Sequence, residues 1–216
     1  MRIWTLMRYF ELCESCKSIG IISALKKLIV RERQVILAVK NIETLKPIEK
    51  KSYKKLRFIE IKQENYDYFN LIFPVKSRKY RMQKYLKNGF KAFIVVCGNE
   101  VAGDVWYTSG ADASNKNLSD LKWLGIQMTK NEAYMFDMFV NPDKRHHHIN
   151  DFLVNRSLIE LKQKGNKKIY GYYDSDNVAA LWFHRMHNYT ELKKITTKQT
   201  FLRRVIGAIP KTDIDK

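Results

Sequence analysis

The sequence has no apolar run that approaches the roughly 20 residues required to cross a membrane, and we expect no transmembrane segment. The N-terminus also lacks the pattern of a secretory signal, because Glu11, Glu14 and Lys17 interrupt its apolar stretch before any small-residue cleavage site. The chain has three cysteines, and an odd number indicates no disulfide framework. We therefore expect a cytoplasmic protein.

Metal-binding patterns are missing as well. Cys13 and Cys16 form a C-x-x-C pair, but no second pair follows and Cys97 is isolated. Since a structural zinc site needs four ligands, we interpret the pair as part of a helix face. The adjacent histidines 146–148 are a poor alternative, because consecutive side chains point in different directions and no carboxylate cluster at ligand spacing completes the set. We expect no metal.

Negative charge is in short supply, since 22 acidic residues stand against 40 basic ones and the net charge is +18. Such a field attracts coenzyme A, anionic lipid head groups or nucleic acid alike. Lysine-rich proteins without any of these partners are also common, and that interpretation stays open. No nucleic-acid recognition motif accompanies the charge, so we expect no specific nucleic-acid partner.

The chain has enough apolar residues to fold, because 45% of its 216 residues are hydrophobic. Its length suits one domain of about 150 residues with an extension. We predict a basic helical extension and linker over residues 1–53 and the domain over 54–216. Residues 1–30 have helical spacing with a break at 18–20. The basic second piece either lies on an anionic membrane surface or packs on the domain or on a second subunit.

From residue 56 the pattern predicts the order β, α, α, β, β, β, α, β, α, β. Ser77 is the predicted N-cap of the second helix, and Gly98-Asn99 is the predicted turn of a hairpin. The predicted elements are strands at 56–62, 92–97, 101–108, 134–140, 168–173 and 189–202, a further short strand at 122–128, and helices at 66–73, 77–87, from 149, and at 177–186.

The most informative stretch is residues 134–153. Its first seven residues are rich in aromatic and branched side chains and indicate a buried strand, which Pro142 ends because proline has no N–H for the ladder. A basic turn follows, and an amphipathic helix begins near Ile149. A strand that enters a helix through a short turn leaves the first helical N–H groups free to bind an anion such as a pyrophosphate.

Residues 140–150 resemble the cofactor-binding segment of the GNAT superfamily of acyl-CoA-dependent N-acetyltransferases, which reads Val-x-Pro-x-x-Arg-Gly-x-Gly-x-Gly. The positions in register are Val140, Pro142, Arg145 and Ile149, and those that replace glycine are His146, His148 and Asn150. Asn150 is a mild change, because asparagine is the commonest non-glycine residue at positive φ. His148 either narrows the phosphate pocket or adds an imidazole donor to it.

A second segment resembles the same family, whose helix after the fifth strand reads Asn-x-x-Ala-x-x-Phe-Tyr-x-x-x-Gly-Phe. The positions that match are Asn177, Ala180 and Phe183, and Tyr189 replaces one aromatic residue by another. Two positions depart from the pattern, since His184 replaces tyrosine and Asn188 replaces glycine. The two segments together extend the resemblance over residues 55–205. It implies an α+β fold, a mixed, mostly antiparallel sheet flanked by helices.

The resemblance also implies a function, the transfer of an acetyl or other acyl group to a primary amine of an unidentified small-molecule or sugar acceptor. Acetyl-CoA would be the co-substrate. By position, the main chains of Phe139 and Val140 would contact pantetheine, and Asn177 would support that arm. The residues that would line the pyrophosphate are Arg145, His146, His147, His148, Ile149 and Asn150.

Proton transfer is assigned in the same way. The resemblance puts His184 near the departing sulfur, which an imidazolium could protonate, although His184 could instead serve only the helix surface. Asp137 interrupts an apolar strand, where an unpaired carboxylate is unfavourable, and is our candidate for the general base. Asp104 is the second candidate. Either carboxylate could instead be the structural partner of an arginine.

A different class of function stays open, a non-catalytic protein that keeps the fold and binds at an anionic surface. His148 and His184 favour it, whereas Arg145, Asn177 and Asp137 favour the enzyme.

The phosphate assignment makes a prediction. Arg145→Glu is expected to weaken coenzyme A binding by roughly tenfold or more, since it places a negative charge beside the pyrophosphate. Calorimetric titration measures the change. Unchanged affinity in a folded variant would reject the assignment.

Overall fold

The computed structural model describes residues 2–26, 31–45, 56–147 and 149–199. Within these ranges the helices are α1 (Arg2–Ile19), α2 (Ile21–Lys26), α3 (Lys76–Lys87), α4 (Ser119–Leu124), α5 (Ile149–Gln163) and α6 (Val178–Met186). The strands are β1 (Arg31–Asn41), β2 (Leu56–Ile61), β3 (Lys91–Cys97), β4 (Glu100–Ser109), β5 (Glu132–Val140), β6 (Lys168–Asp174) and β7 (Thr190–Gln199). Short 3-10 helices occupy Tyr66–Phe69, Ala113–Asn117 and Pro142–His147. No helix in the described ranges has the length and apolar character needed to cross a membrane.

The chain forms two compact units. The first comprises Met1–Glu11, Asn41–Asn117 and Met128–Ile169. The second comprises Leu12–Lys40, Leu118–Gln127 and Tyr170–Lys216.

In the first unit the strand order is β2-β3-β4-β5, and each neighbouring pair is antiparallel. On one face of these strands, Phe93 and Tyr107 stack with ring centroids 4.6 Å apart. Phe58 and Phe152 continue this cluster from β2 to α5. The predicted amphipathic helix is confirmed, since its buried face is formed by Ile149, Leu153, Leu158 and Leu161.

The opposite face of the same strands packs against α3. Trp106 points away from Tyr107 because consecutive strand residues alternate. Its ring meets that of Tyr85 on α3 at 4.8 Å, and Tyr85 also meets Phe136 of β5 at 5.5 Å. In the first unit α5 therefore packs on one face of the sheet and α3 on the other.

In the second unit the strand order is β6-β1-β7, with β1 and β7 antiparallel. Arg33 of β1 pairs with Asp174 at the end of β6, and the main-chain N–H of Ser175 donates to Gln34 O at 2.8 Å. β1 thus lies inside the predicted extension yet pairs with a strand of the predicted domain. Residues 46–55 lie outside the described ranges, and the domain boundary at residue 53 stays a prediction.

Most of the predicted element order is confirmed. The helical break falls at Gly20, between α1 and α2. The hairpin turns at Gly98, whose φ of 62° suits glycine. The predicted last strand is β7, and its predicted end beyond residue 199 lies outside the described ranges.

Three local predictions are wrong. Residues 119–124 are a helix where a strand was expected over 122–128, because Leu121 and Leu124 bury the same helix face. Ser77 lies inside α3 and is buried, and the N-cap is Val75 without a side-chain bond. The helix expected over 66–73 is one 3-10 turn, which ends where Asn70 adopts a φ of 40°.

Gly110 provides a test of the packing around β5. A Cβ atom there would lie 1.8 Å from Thr129 O, and the N–H of Gly110 donates to Glu132 O at 2.7 Å. We expect Gly110→Ala to lower the free energy of unfolding by about 3 kcal/mol, because the main chain has to move. Urea denaturation measures this.

The matched control for Gly110→Ala is Gly98→Asn. Gly98 has open space around its Cβ position, and asparagine tolerates positive φ. Its free energy of unfolding should change by less than about 0.5 kcal/mol. Equal effects of the two variants would contradict the packing argument.

Candidate functional site

β5 contains a bulge at Asp137. Asp104 of β4 pairs with Phe139 and Trp106 with Phe136, so β5 has one residue more than β4 between these pairs. Asp137 has a φ of 50°, a left-handed conformation that costs a non-glycine residue about 1–3 kcal/mol. The buried strand expected over residues 134–140 is interrupted here, since Tyr134 and Phe136 are buried whereas Met138 is 41% exposed.

The carboxylate of Asp137 is held by two arginines of α3. Arg78 donates to it at 2.9 Å, and Arg81 donates to both of its oxygens at 2.9 and 2.8 Å. Burial alone would raise the pKa of Asp137, but the two guanidinium groups outweigh burial and lower this pKa to about 2. Such a carboxylate is a weak base at neutral pH. Asp137 is therefore paired with arginines, which was one of the two alternatives left open by the sequence. A catalytic role for Asp137 stays a prediction.

Asp104, the second candidate base, is more enclosed. Only 1% of it is exposed, and it accepts hydrogen bonds from Arg78 and from Trp106 Nε1. Burial raises the pKa of Asp104, and Arg78 offsets part of this effect. A carboxylate without access to solvent is poorly placed to take a proton from an incoming amine.

The loop after β5 is organised by Asn141, which is buried. Its N–H donates to Ala102 O at 2.9 Å, its side-chain oxygen accepts from the N–H of Asp143 at 3.2 Å, and its carbonyl accepts from the N–H of Lys144 at 2.9 Å. The role of Asn141 was not predicted from the sequence, which indicated only that a strand ends near Pro142. An asparagine two residues before an aspartate, at a proline turn, is the signal for this turn.

The structure brings together three of the expected cofactor-binding residues, Phe139 through its main chain, Val140 and Ile149. A Cβ atom on Gly103 would lie 3.1 Å from Phe139 O, 3.1 Å from Val140 Cγ2 and 3.2 Å from Ile149 Cγ2. The absence of a side chain at Gly103 thus lets β4, the end of β5 and the start of α5 approach closely. This role of Gly103 was not predicted from the sequence.

The remaining residues expected at the pyrophosphate are described only in part. The structure describes the main chain of residues 142–147 as a 3-10 helix, but the side chains of residues 145–147 and all of His148 lie outside what it describes. Asn150 lies in the first turn of α5 with helical φ, so positive φ does not explain asparagine at this position. Among the described residues, no group of three His, Cys, Asp or Glu side chains could hold a metal ion.

In the second unit, Asn177 is the N-cap of α6. Its side-chain oxygen accepts from the N–H of Ala180 at 3.0 Å, which gives the Asn-x-x-Ala spacing a structural basis. Asn188, which follows the same helix, adopts a φ of 54° and does occupy a conformation suited to glycine. Support of pantetheine by Asn177 stays a prediction.

His184 lies among aromatic rings on the same helix. It stacks on Tyr173 at 4.5 Å and meets Tyr189 edge-on at 4.9 Å. Its Nδ1 donates to Ala180 O at 2.7 Å, because a carbonyl oxygen can only accept. Burial lowers the pKa of His184 below its ordinary 6.5. A neutral ring with its proton on Nδ1 leaves Nε2 as an acceptor, so it is better suited to take a proton than to protonate sulfur.

Comparison with known proteins gives no match to a protein-family model and none to a curated protein. Solved structures do match. One is the GCN5-related glucosamine N-acetyltransferase region of a fungal multi-domain β-N-acetylglucosaminidase, with a TM-score of 0.56 and 20% identity over 86% of this chain and 23% of that one. Another is a tandem GNAT protein from the clavulanic acid biosynthesis pathway, with a TM-score of 0.53 and 10% identity over 82% and 57% of the two chains. The fold is that of the GNAT acetyltransferases.

A Drosophila protein is similar to the same extent, with a TM-score of 0.51 and 11% identity over 85% of this chain and 56% of that one. At such identities the likeness establishes the fold and leaves the activity to be tested. This chain spans less than two thirds of the length of each of these three proteins. The α+β fold class expected from the GNAT resemblance is confirmed.

The state of His184 is directly testable. We expect its imidazole to titrate below pH 6.5, because burial disfavours the charged ring. The unfolded state then binds more protons in this range, so the stability contributed by neutral His184 is present above pH 6.5 and is lost as the pH falls through the folded-state pKa. An NMR titration of the ring C–H signal, assigned with His184→Gln, measures the midpoint. A midpoint above 6.5 would mean that the fold stabilises the imidazolium.

Proposed function

We propose that the protein transfers an acetyl or other acyl group from acyl-CoA to a primary amine of a small-molecule or sugar acceptor. The observation that carries the proposal is the end of β5, where a bulge precedes an asparagine turn and the N-terminus of α5, within a GNAT fold. The reaction forms a C–N bond and breaks the C–S bond of the thioester. The amine loses a proton, and the thiolate gains one.

The proposed cofactor site lies in the first unit. The close approach at Gly103 joins the end of β5 to the first turn of α5, a helix of 15 residues. The first N–H groups of such a helix lack intrahelical acceptors and favour an anion. The main chains of Phe139 and Val140 are proposed to contact pantetheine, and residues 145–150 to line the pyrophosphate. Lys144, which is partly exposed and 3.8 Å from Glu100, adds positive charge nearby.

The proposed proton transfer differs from that expected from the sequence, in which Asp137 was the base and His184 the acid. Both arginines of α3 engage Asp137, which supports a positioning role for this carboxylate rather than that of a base. The neutral ring of His184 is suited to accept a proton through Nε2. Because a thiol has a pKa of about 8.5, coenzyme A can leave as a thiolate without a strong acid.

The acceptor class to test first is the amino sugars. This choice rests on one similar structure, which is described as a glucosamine N-acetyltransferase region. A 2-amino sugar carries one primary amine, and its ammonium must lose a proton before attack on the thioester.

A second candidate function is a GNAT-fold protein that binds acyl-CoA or an anionic surface without catalysis. The observation that favours it is that arginines engage both candidate bases, Asp104 and Asp137, while His184 is the remaining candidate for proton transfer. The two candidates differ in turnover.

The deciding experiment combines calorimetric titration of the purified protein with acetyl-CoA and a thiol-release assay. We expect a Kd of about 10 µM, typical of a co-substrate that binds through a pyrophosphate and an extended arm. Thiol release should depend on an added amine, tested with glucosamine and with N-acetylglucosamine as the blocked control. The control for general effects of charge on acetyl-CoA binding is Arg156→Gln. It removes a partly exposed guanidinium that is paired with Glu160 on α5.

Each outcome decides between the candidates. Binding with amine-dependent thiol release supports the enzyme. Binding without release, across amino sugars, amino acids and polyamines, supports the non-catalytic protein. If the folded protein binds neither acetyl-CoA nor coenzyme A, the proposed cofactor site is wrong.

A further inference from the structure

We propose that Arg78 is a positioning residue that holds the bulged part of β5 in the conformation that binds acyl-CoA. This inference rests on the proposed function, since it assigns Arg78 to the same site. Arg78 lies in the first turn of α3, and 7% of it is exposed. Its guanidinium therefore acts inside the first unit, away from bulk solvent.

One guanidinium joins both sides of the interrupted ladder. Arg78 bonds to Asp104 on β4 through Nε and Nη2. It also donates to the carboxylate of Asp137 on β5 at 2.9 Å. The ring of Phe139, the residue that pairs with Asp104, lies under the same guanidinium at 4.9 Å. Arg78 thus contacts both Asp104 and Phe139, the pair that borders the bulge on the side of the proposed cofactor site.

Arg78 also replaces a missing ladder bond. A bulge leaves its extra residue without a regular partner on the neighbouring strand, and a buried carbonyl needs a donor. Arg78 Nη2 donates to the main-chain oxygen of Asp137 at 3.2 Å. The left-handed φ of Asp137 persists only if its surroundings over-determine it, and the contacts of Arg78 to both the main chain and the side chain meet that condition.

Arg81 provides the contrast. It bonds to the carboxylate of Asp137 and to Glu11 of α1, and its side chain is 25% exposed. None of its hydrogen bonds described here reaches β4 or the main chain of the bulge. Arg81 therefore places a positive charge beside the carboxylate of Asp137, whereas Arg78 sets the geometry of the two strands.

A planar fork is needed for this task. Lysine keeps the charge, but its single ammonium cannot donate to Asp104 and to the Asp137 carbonyl in the same fixed arrangement. We expect Arg78→Lys to raise the Kd for acetyl-CoA about tenfold, measured by calorimetry at a temperature where circular dichroism shows the variant folded. Arg156→Lys, the same exchange on the surface of α5, should leave this Kd unchanged.

A rescue experiment separates positioning from general stability. Glycine adopts positive φ without strain, so Arg78→Lys combined with Asp137→Gly should recover most of the lost affinity for acetyl-CoA. Arg78→Lys combined with Asp137→Ala removes the same carboxylate but keeps a Cβ atom in the left-handed conformation, and it should stay weak. If Arg78 served stability alone, glycine and alanine would give the same acetyl-CoA affinity.

The outcomes are distinguishable. If the wild-type protein does not bind acetyl-CoA, the proposed function fails and this inference fails with it. If the wild type binds but Arg78→Lys binds equally well, or if the two double variants are equal, the inference alone is overturned. Should Arg78→Lys not fold, the single variants Asp137→Gly and Asp137→Ala give the same comparison, and equal acetyl-CoA affinities would again overturn it.

Discussion

The guanidinium of Arg78 bonds to Asp104 on β4 and to Asp137 on β5 at the point where the ladder between these strands is interrupted. Three features depend on this shared cation. Two carboxylates, Asp104 buried and Asp137 partly exposed, remain close together because a positive charge lies between them. The left-handed main chain of Asp137 has its carbonyl satisfied, and β5 keeps the bulge that interrupts its pairing with β4.

This arrangement changes the chemistry available to the two carboxylates. An acidic group on a strand beside a cofactor site is an obvious candidate for a base, but a base must have a pKa near the working pH. The arginines of α3 lower the pKa of Asp137 far below that range. The same pairing that stabilises this partly buried carboxylate also makes it a weaker base, which is a general consequence of strong pairing.

His184 in the second unit has the opposite environment. Aromatic rings surround it, and its one described polar contact is a main-chain carbonyl. A ring in such surroundings loses its proton more readily and keeps one nitrogen free to accept. His184, which stands where the resembled GNAT segment has tyrosine, therefore offers a proton acceptor in place of a weak acid.

Most of the element order and the amphipathic face of α5 follow from the sequence by itself, because apolar spacing and turn residues act locally. The fold class was expected from the GNAT resemblance. The close approach at Gly103 and the bulge at Asp137 were not predicted, since both depend on which residues of β4 lie opposite β5. The sequence marked Asp137 as unusual, but only the tertiary structure decided that Arg78 and Arg81, 59 and 56 residues earlier, are its partners. Long-range pairing of charges leaves no periodic signal in a chain, so the fold, and not the spacing, determines which carboxylate is free to react.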